Sequence, residues 1–211
     1  MRYPIYEAPL AHPPEQLVIF FHGYGANGED LLGLATHFEK TLSKAVFVAP
    51  NAFTQIPDYP MGYQWFDLAN MDPTLMEQNC ESVRERGVAL IHEIQREWNI
   101  GPENTILVGF SQGTMMALYC ALATENLCKT VIGYSGGVYM QPGSIKADPK
   151  TTHFLLIHGE EDTVVPPHGS LDAHMFIKNH GFTSEVHLRP NLEHSIDLEG
   201  LKIARKFIEH S

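Results

Sequence analysis

Short runs of apolar, β-branched residues recur along this chain with longer stretches of helical period between them, and that alternation restricts the fold more than any other feature. Six runs read as strands: 17–21, 46–49, 105–109, 131–134, 154–157 and 185–188. They are apolar almost throughout instead of strictly alternating, which predicts a sheet covered on both faces. The clearest helix is expected over 75–98, where Val83, Val88, Ile91, Ile94 and Trp98 fall near one face. Further helices are expected at 30–42, 112–123 and 168–179, and a last one begins near Ser195, with Asp197 and Glu199 in its first turn. A chain of 211 residues can bury a core without covalent staples and is short for two enzyme domains. The expectation is one α/β domain over residues 1–211, with a mostly parallel sheet between two helical layers.

The segment 50–74 breaks the alternation. It holds four prolines together with Met61, Tyr63, Trp65, Phe66 and Leu68. Structureless loops of that length are uncommon inside compact domains and usually serve as lids or binding walls, so this one is expected to be a lid or a substrate-binding wall.

Composition excludes several classes of partner. With 14 basic against 25 acidic residues the net charge is −11, which repels phosphate backbones and argues against nucleic acid. Cys80, Cys120 and Cys128 lack C-x-x-C spacing, so neither a disulfide framework nor a zinc knuckle is expected, and a reducing compartment fits best. The N-terminus carries no apolar run of signal length, and no stretch of about 18 apolar residues occurs anywhere. A cytoplasmic protein without stable membrane insertion is expected; pairing into a homodimer is left open. His92-Glu93 begins like H-E-x-x-H, but position 96 is Arg96, so no metal site follows.

Gly109-Phe110-Ser111-Gln112-Gly113 directly follows the strand at 105–109 and opens the helix at 112. A serine on so tight a strand-to-helix turn takes a strained, positive-φ backbone, and side chains two residues before and after it would collide. Glycine clears both positions. The turn lifts the hydroxyl off the sheet as a nucleophile and aims the Gln112 amide, at a helix N-terminus, toward the same space. That amide is one candidate oxyanion donor. The second is the amide of Tyr24, in the glycine-rich turn His22-Gly23-Tyr24-Gly25 after the strand at 17–21.

A serine hydroxyl needs a neutral imidazole to take its proton, and the imidazole needs an acceptor on its other nitrogen. The strand at 154–157 runs into His158-Gly159-Glu160-Glu161-Asp162-Thr163-Val164-Val165-Pro166, which puts three carboxylates at the sheet edge where open α/β folds place their sites. Asp162 is preferred to Glu160 and Glu161, because a short side chain followed by Thr163-Val164-Val165-Pro166 suggests a held position. Of the twelve histidines, His168 and His174 lie at or on a helix and His187 lies in a strand. His194 lies between the last strand and the last helix, from where it can reach across the sheet edge to Ser111. The order serine, acid, histidine is that of α/β-hydrolases.

Together these residues resemble the phospholipase/carboxylesterase family, which includes acyl-protein thioesterases and small bacterial carboxylesterases. The resemblance rests on His22-Gly23-Tyr24-Gly25, Trp65-Phe66-Asp67, Gly109 to Gly113, Tyr134-Ser135-Gly136, His158-Gly159 with Asp162 and Val164-Val165-Pro166, and His194. It implies the α/β-hydrolase fold, a Ser111, His194 and Asp162 triad, Tyr24 and Gln112 as oxyanion amides, and no cofactor. The implied substrates are small-molecule or acylated: carboxylic esters or thioesters whose acyl part lies against an apolar groove. Trp65 maps onto the family's tryptophan over the site, and Met61, Phe66 and Val165 are expected to join it as substrate-binding residues. The chain departs from the family at Tyr24, where many members carry leucine, and at Thr114 and Glu193, where they carry glycine.

Overall fold

The computed structural model describes residues 3–7, 13–68 and 72–210. Its centre is a seven-stranded sheet in the order β1-β3-β2-β6-β7-β8-β9, with a separate β4-β5 hairpin. In chain order the strands are β1 (Ile5–Glu7), β2 (Gln16–Phe21), β3 (Ala45–Val48), β4 (Thr54–Ile56), β5 (Tyr59–Gln64), β6 (Thr105–Phe110), β7 (Thr130–Tyr134), β8 (His153–Gly159) and β9 (Thr183–Arg189). β1 pairs antiparallel with β3, and the other pairings of the large sheet are parallel. The helices are α1 (Gly28–Leu32), α2 (Ala35–Phe38), α3 (Pro73–Trp98), α4 (Gln112–Leu122), α5 (His168–Asn179) and α6 (Leu198–His210).

The parallel strands feed two cores at once. In β2, Leu17, Ile19 and Phe21 point into one cluster and Val18 and Phe20 into the other; β3, β6, β7 and β8 divide in the same way. Side chains α3, α4 and α5 fill the first cluster, and α1, α2 and α6 the second. Every residue of α4 is buried, because α3 closes over it on the side away from the sheet. Burying a leucine- or methionine-sized side chain contributes roughly 1.5–3 kcal/mol, so α4 is anchored firmly and holds the turn at its N-terminus still.

Three expectations are corrected. The helix at 30–42 is two short helices, broken at Gly33 and Leu34. The segment 50–74 is not structureless: it contains the β4-β5 hairpin, and residues 69–71 lie outside the described residues. The last helix starts at Leu198, with Asp197 Oδ1 accepting from the Gly200 N–H at 2.7 Å, so Asp197 caps the helix from outside its first turn. Arg189 closes on the same carboxylate at 3.1 Å, so an ion pair brackets the loop between β9 and α6.

Candidate active site

The loops that leave β2, β6, β7, β8 and β9 all emerge at the carboxyl edge of the sheet, on adjacent strands. Ser111 follows β6 with φ 54° and ψ −119°, a conformation that costs an L-residue of order 1–3 kcal/mol. A Cβ at Gly113 would stand 1.9 Å from the Phe21 carbonyl oxygen, and one at Gly109 would stand 2.5 Å from the Thr114 nitrogen. Both flanking glycines are therefore required by backbone approach. Ser111 occupies the N-cap of α4, yet its hydroxyl makes no capping hydrogen bond. Its own N–H donates to the Tyr134 carbonyl at 2.9 Å, which ties the turn to β7.

The turn at 22–25 lies against the serine. A Cβ at Gly23 would be 3.4 Å from Ser111 Cβ. Gly25 donates to the Tyr63 carbonyl at 3.0 Å, and Tyr63 donates back to Ala26 at 2.9 Å, so the β4-β5 hairpin is stitched to this turn. Neither the Tyr24 nor the Gln112 backbone N–H has a protein acceptor among the described residues. The His22 ring is buried beneath the turn; its Nε2 accepts from the Ala52 N–H at 2.9 Å and its Nδ1 lies 2.7 Å from the Gly23 carbonyl. This fixes a neutral ring protonated on Nδ1, and burial holds its pKa below the ordinary imidazole value.

Asp162 and His194 arrive from neighbouring strands. His194 Nδ1 is 2.7 Å from Asp162 Oδ2, and the carboxylate has no solvent exposure while the histidine side chain retains 18%. The His194 ring packs against Phe110 at a tilt of 41°, centroids 4.8 Å apart, which sets it beside the residue preceding Ser111. The Val164 and Val165 amides donate to Asp162 Oδ1 at 3.0 and 2.9 Å. Burial alone would push the Asp162 pKa up, but the His194 hydrogen bond and the two valine amides outweigh it and hold the carboxyl below the ordinary range. Glu160 and Glu161 face solvent. The two loops are joined by backbone as well: Glu160 donates to the Arg189 carbonyl and Glu161 to that of Leu192.

The expected lining residues divide. Met61 is 65% exposed and borders a cavity of about 380 Å³ with Tyr3, Asn27, Asn51 and Tyr63. Trp65, Phe66 and Val165 are 1%, 4% and 4% exposed and belong to the core. Trp65 packs against Phe21, His22 and Phe53, and its indole N–H donates to the His22 carbonyl at 2.9 Å. Its ring supports the 22–25 turn from below. Val164, 64% exposed, takes the outward place beside the buried Val165. Thr114 is accommodated by glycines across from it, since Cβ atoms at Gly133 and Gly136 would come within 2.4 and 2.5 Å of its side chain.

Two contributions were not foreseen from the sequence. The Gln112 side chain, fully buried, accepts from the Trp65 N–H at 2.9 Å and donates to the Phe66 carbonyl at 2.7 Å, so the residue after the serine fixes the 65–66 segment. His158 lies 3.2 Å from Asp162 Oδ2 and 2.7 Å from Ser170 Oγ. Ser170, His158 and Asp162 thus form a second serine-histidine-aspartate contact, but Ser170 and His158 are 0% and 1% exposed and no substrate can reach that hydroxyl. Among the described residues no cluster of His, Cys, Asp or Glu is arranged to hold a metal ion, and no helix is long and apolar enough to cross a membrane.

Residues 8–211 match the phospholipase/carboxylesterase family. The chain belongs to that family. As a phospholipase/carboxylesterase family member it has the α/β-hydrolase fold and is a carboxylic ester hydrolase. It is 24% identical to Esterase YpfH of Escherichia coli strain K12, over 94% of this chain and 84% of that protein. It is 27% identical to acyl-protein thioesterase 1 of Gibberella zeae, over 95% of this chain and 94% of the other. The crystal structure of esterase PE8 superposes with a TM-score of 0.89 at 33% identity, covering 99% of this family member and 97% of that chain. Arabidopsis thaliana SOBER1 gives a TM-score of 0.79 at 25% identity, with 92% and 98% covered.

Proposed function

We propose that this protein hydrolyses carboxylic esters or thioesters through an acyl-enzyme on Ser111, with His194 as general base and Asp162 as the group that orients it. The observation that carries this reading is the 2.7 Å contact between His194 Nδ1 and the fully buried Asp162 carboxylate, beside a serine held in a strained strand-to-helix turn. With Nδ1–H donated to Asp162, His194 Nε2 is the nitrogen free to take the serine proton. Attack on the substrate carbonyl gives an oxyanion facing the Tyr24 and Gln112 amides, each such donor being worth roughly 3–4 kcal/mol in the transition state. His194 then protonates the departing alcohol or thiol. Water, deprotonated by the same imidazole, releases the acid and restores Ser111.

Exposed apolar side chains at Tyr24 and Val164, on loops at the sheet's carboxyl edge, and at Met61 on β5 support a substrate with an apolar acyl part. They favour a long chain, as a lysophospholipase or protein depalmitoylase would take, over a short one. A non-catalytic binding protein is the reading from another class; one relative, 25% identical and from Oryza sativa, is named a probable inactive carboxylesterase. Both cores lying on one sheet support a single domain over 1–211, and three buried free thiols fit a reducing, cytoplasmic setting.

The test is hydrolysis of p-nitrophenyl esters from about two to sixteen carbons by wild type and Ser111→Ala. Ser111-dependent turnover that rises toward eight carbons and beyond is expected. A maximum at two carbons would replace the long-chain reading by a short-chain esterase, and no Ser111-dependent turnover at any length would leave the binding-protein reading.

A further inference from the structure

Resting on that reading of the site, we propose that His158 is a positioning residue for Asp162: a buried second histidine that donates to the same carboxylate oxygen as His194 and locks the acid in one orientation.

The hydrogen-bond inventory around the ring leads there. His158 Nε2 lies 2.8 Å from the Val165 carbonyl and 3.2 Å from Asp162 Oδ2. Both partners only accept, so Nε2 carries a proton and shares it between them. Burial is the leading cause that keeps the imidazole below its ordinary pKa and therefore neutral, which leaves Nδ1 as an acceptor. Its partner is the Ser170 hydroxyl at 2.7 Å, which also lies 2.9 Å from the Gly136 carbonyl. The two acceptors on Nε2 set the tautomer of His158, and Ser170 holds the ring from the far side. The titratable groups acting on the ring are Asp162 and His194; α5 contributes the neutral Ser170, and the segment after β7 contributes the Gly136 carbonyl.

Asp162 in consequence has four polar partners: it accepts from the Val164 and Val165 amides on Oδ1 and from His194 on Oδ2, and His158 Nε2 stands 3.2 Å from that same Oδ2. Its side chain has no solvent exposure, so no water replaces a lost donor. The His158 bond to the Val165 carbonyl also closes the 162–165 turn that aims those amides. Without the His158 donor, Oδ2 keeps only His194. The carboxylate becomes more basic, favours the protonated form of His194 more strongly, and gains freedom to rotate away from it.

The test is the pH dependence of kcat/KM for p-nitrophenyl butyrate hydrolysis by wild type, His158→Leu, His158→Gln, Ser170→Ala and Ser111→Ala, with thermal unfolding of each. Leucine keeps apolar volume without a donor, whereas the glutamine amide reaches roughly where Nε2 stands. The expected result is a loss of about ten- to a hundredfold in kcat for His158→Leu, as second-sphere partners of a working histidine typically cost. Its acidic limb should move up by about half to one pH unit. His158→Gln should bring the limb back to within about 0.2 of a unit of wild type, and Ser170→Ala should move it the same way as leucine by a smaller amount. A folded His158→Leu with an unmoved limb overturns the proposal, as does a limb that moves equally with glutamine. If His158→Leu does not fold, Ser170→Ala decides in its place: an unmoved limb overturns the proposal. Turnover surviving in Ser111→Ala would instead overturn the triad reading beneath it. Loss of turnover in that variant beside unmoved limbs in the others removes the His158 proposal alone.

Discussion

Asp162 and His194 meet at 2.7 Å although they are 32 residues apart, because β8 and β9 are paired in register from His153 and Thr183 to Gly159 and Arg189 and end together. The sheet, and not the loops alone, fixes the separation of Asp162 and His194. The serine is fixed in the same way from β6, through its N–H bond to the end of β7.

Asp162→Asn preserves size and removes the charge. The amide can present its NH₂ to His194 and force the wrong tautomer, and the expected loss in kcat is about 10³- to 10⁴-fold with little change in KM. Steady-state kinetics at pH 7.5 checks this; a loss below about tenfold would contradict an orienting carboxylate.

Gln112→Leu leaves the backbone amide in place but strips the Trp65 N–H and the Phe66 carbonyl of their buried partner. Each unsatisfied group costs roughly 1–3 kcal/mol, so the melting temperature should fall by several degrees. Turnover should fall with it, since Trp65 supports the 22–25 turn. Differential scanning calorimetry beside tryptophan emission tests the pair: an unchanged melting temperature would show that the side chain holds nothing.

Ser111→Gly should be more stable than wild type and inactive. Glycine adopts φ 54°, ψ −119° without the strain the serine carries, of order 1–3 kcal/mol, against an unfolded-state entropy cost of roughly 0.4–1 kcal/mol. A net gain of about 1 kcal/mol is expected in urea unfolding. A loss of stability would mean that the serine backbone is not strained.

Stability should decline on the acid side from about pH 6.5 downward. Burial is the first cause holding His22, His158 and His174 below the ordinary imidazole value. Above the unfolded pKa both states are neutral and nothing changes. Below it the unfolded chain binds protons that the fold does not, so unfolding becomes easier, by up to about 1.4 kcal/mol per pH unit for each of the buried His22 and His158 and by less for the partly exposed His174. Urea midpoints between pH 8 and 5 measure the slope, and His22→Asn should make it shallower. An equal slope in that variant would remove His22 from the account.

The sequence carried the parallel sheet because buried strands must be apolar on both faces, and the runs at 17–21 and 154–157 advertise that directly. It did not carry β1, which is three residues long, or the β4-β5 hairpin, where Pro57 and Pro60 demote a strand that stands apart from the main sheet. Gly33 signalled the break between α1 and α2, but a helical glycine costs only about 1 kcal/mol and does not by itself stop a helix. The proposed triad of Ser111, Asp162 and His194 stands out in the sequence because chemistry restricts residue type and spacing. The roles of His158, Gln112 and Trp65 were not, since they depend on which face of a strand or turn is buried. The one available signal was His158 four residues before Asp162 at a strand's end.

The most direct measurement is intact-protein and peptide mass spectrometry after brief mixing with p-nitrophenyl octanoate and an acid quench. One octanoyl group per chain is expected, located on the peptide carrying Ser111 and absent from Ser111→Ala. An adduct elsewhere, or turnover with no adduct at a time resolution shorter than deacylation, would contradict an acyl-enzyme on Ser111.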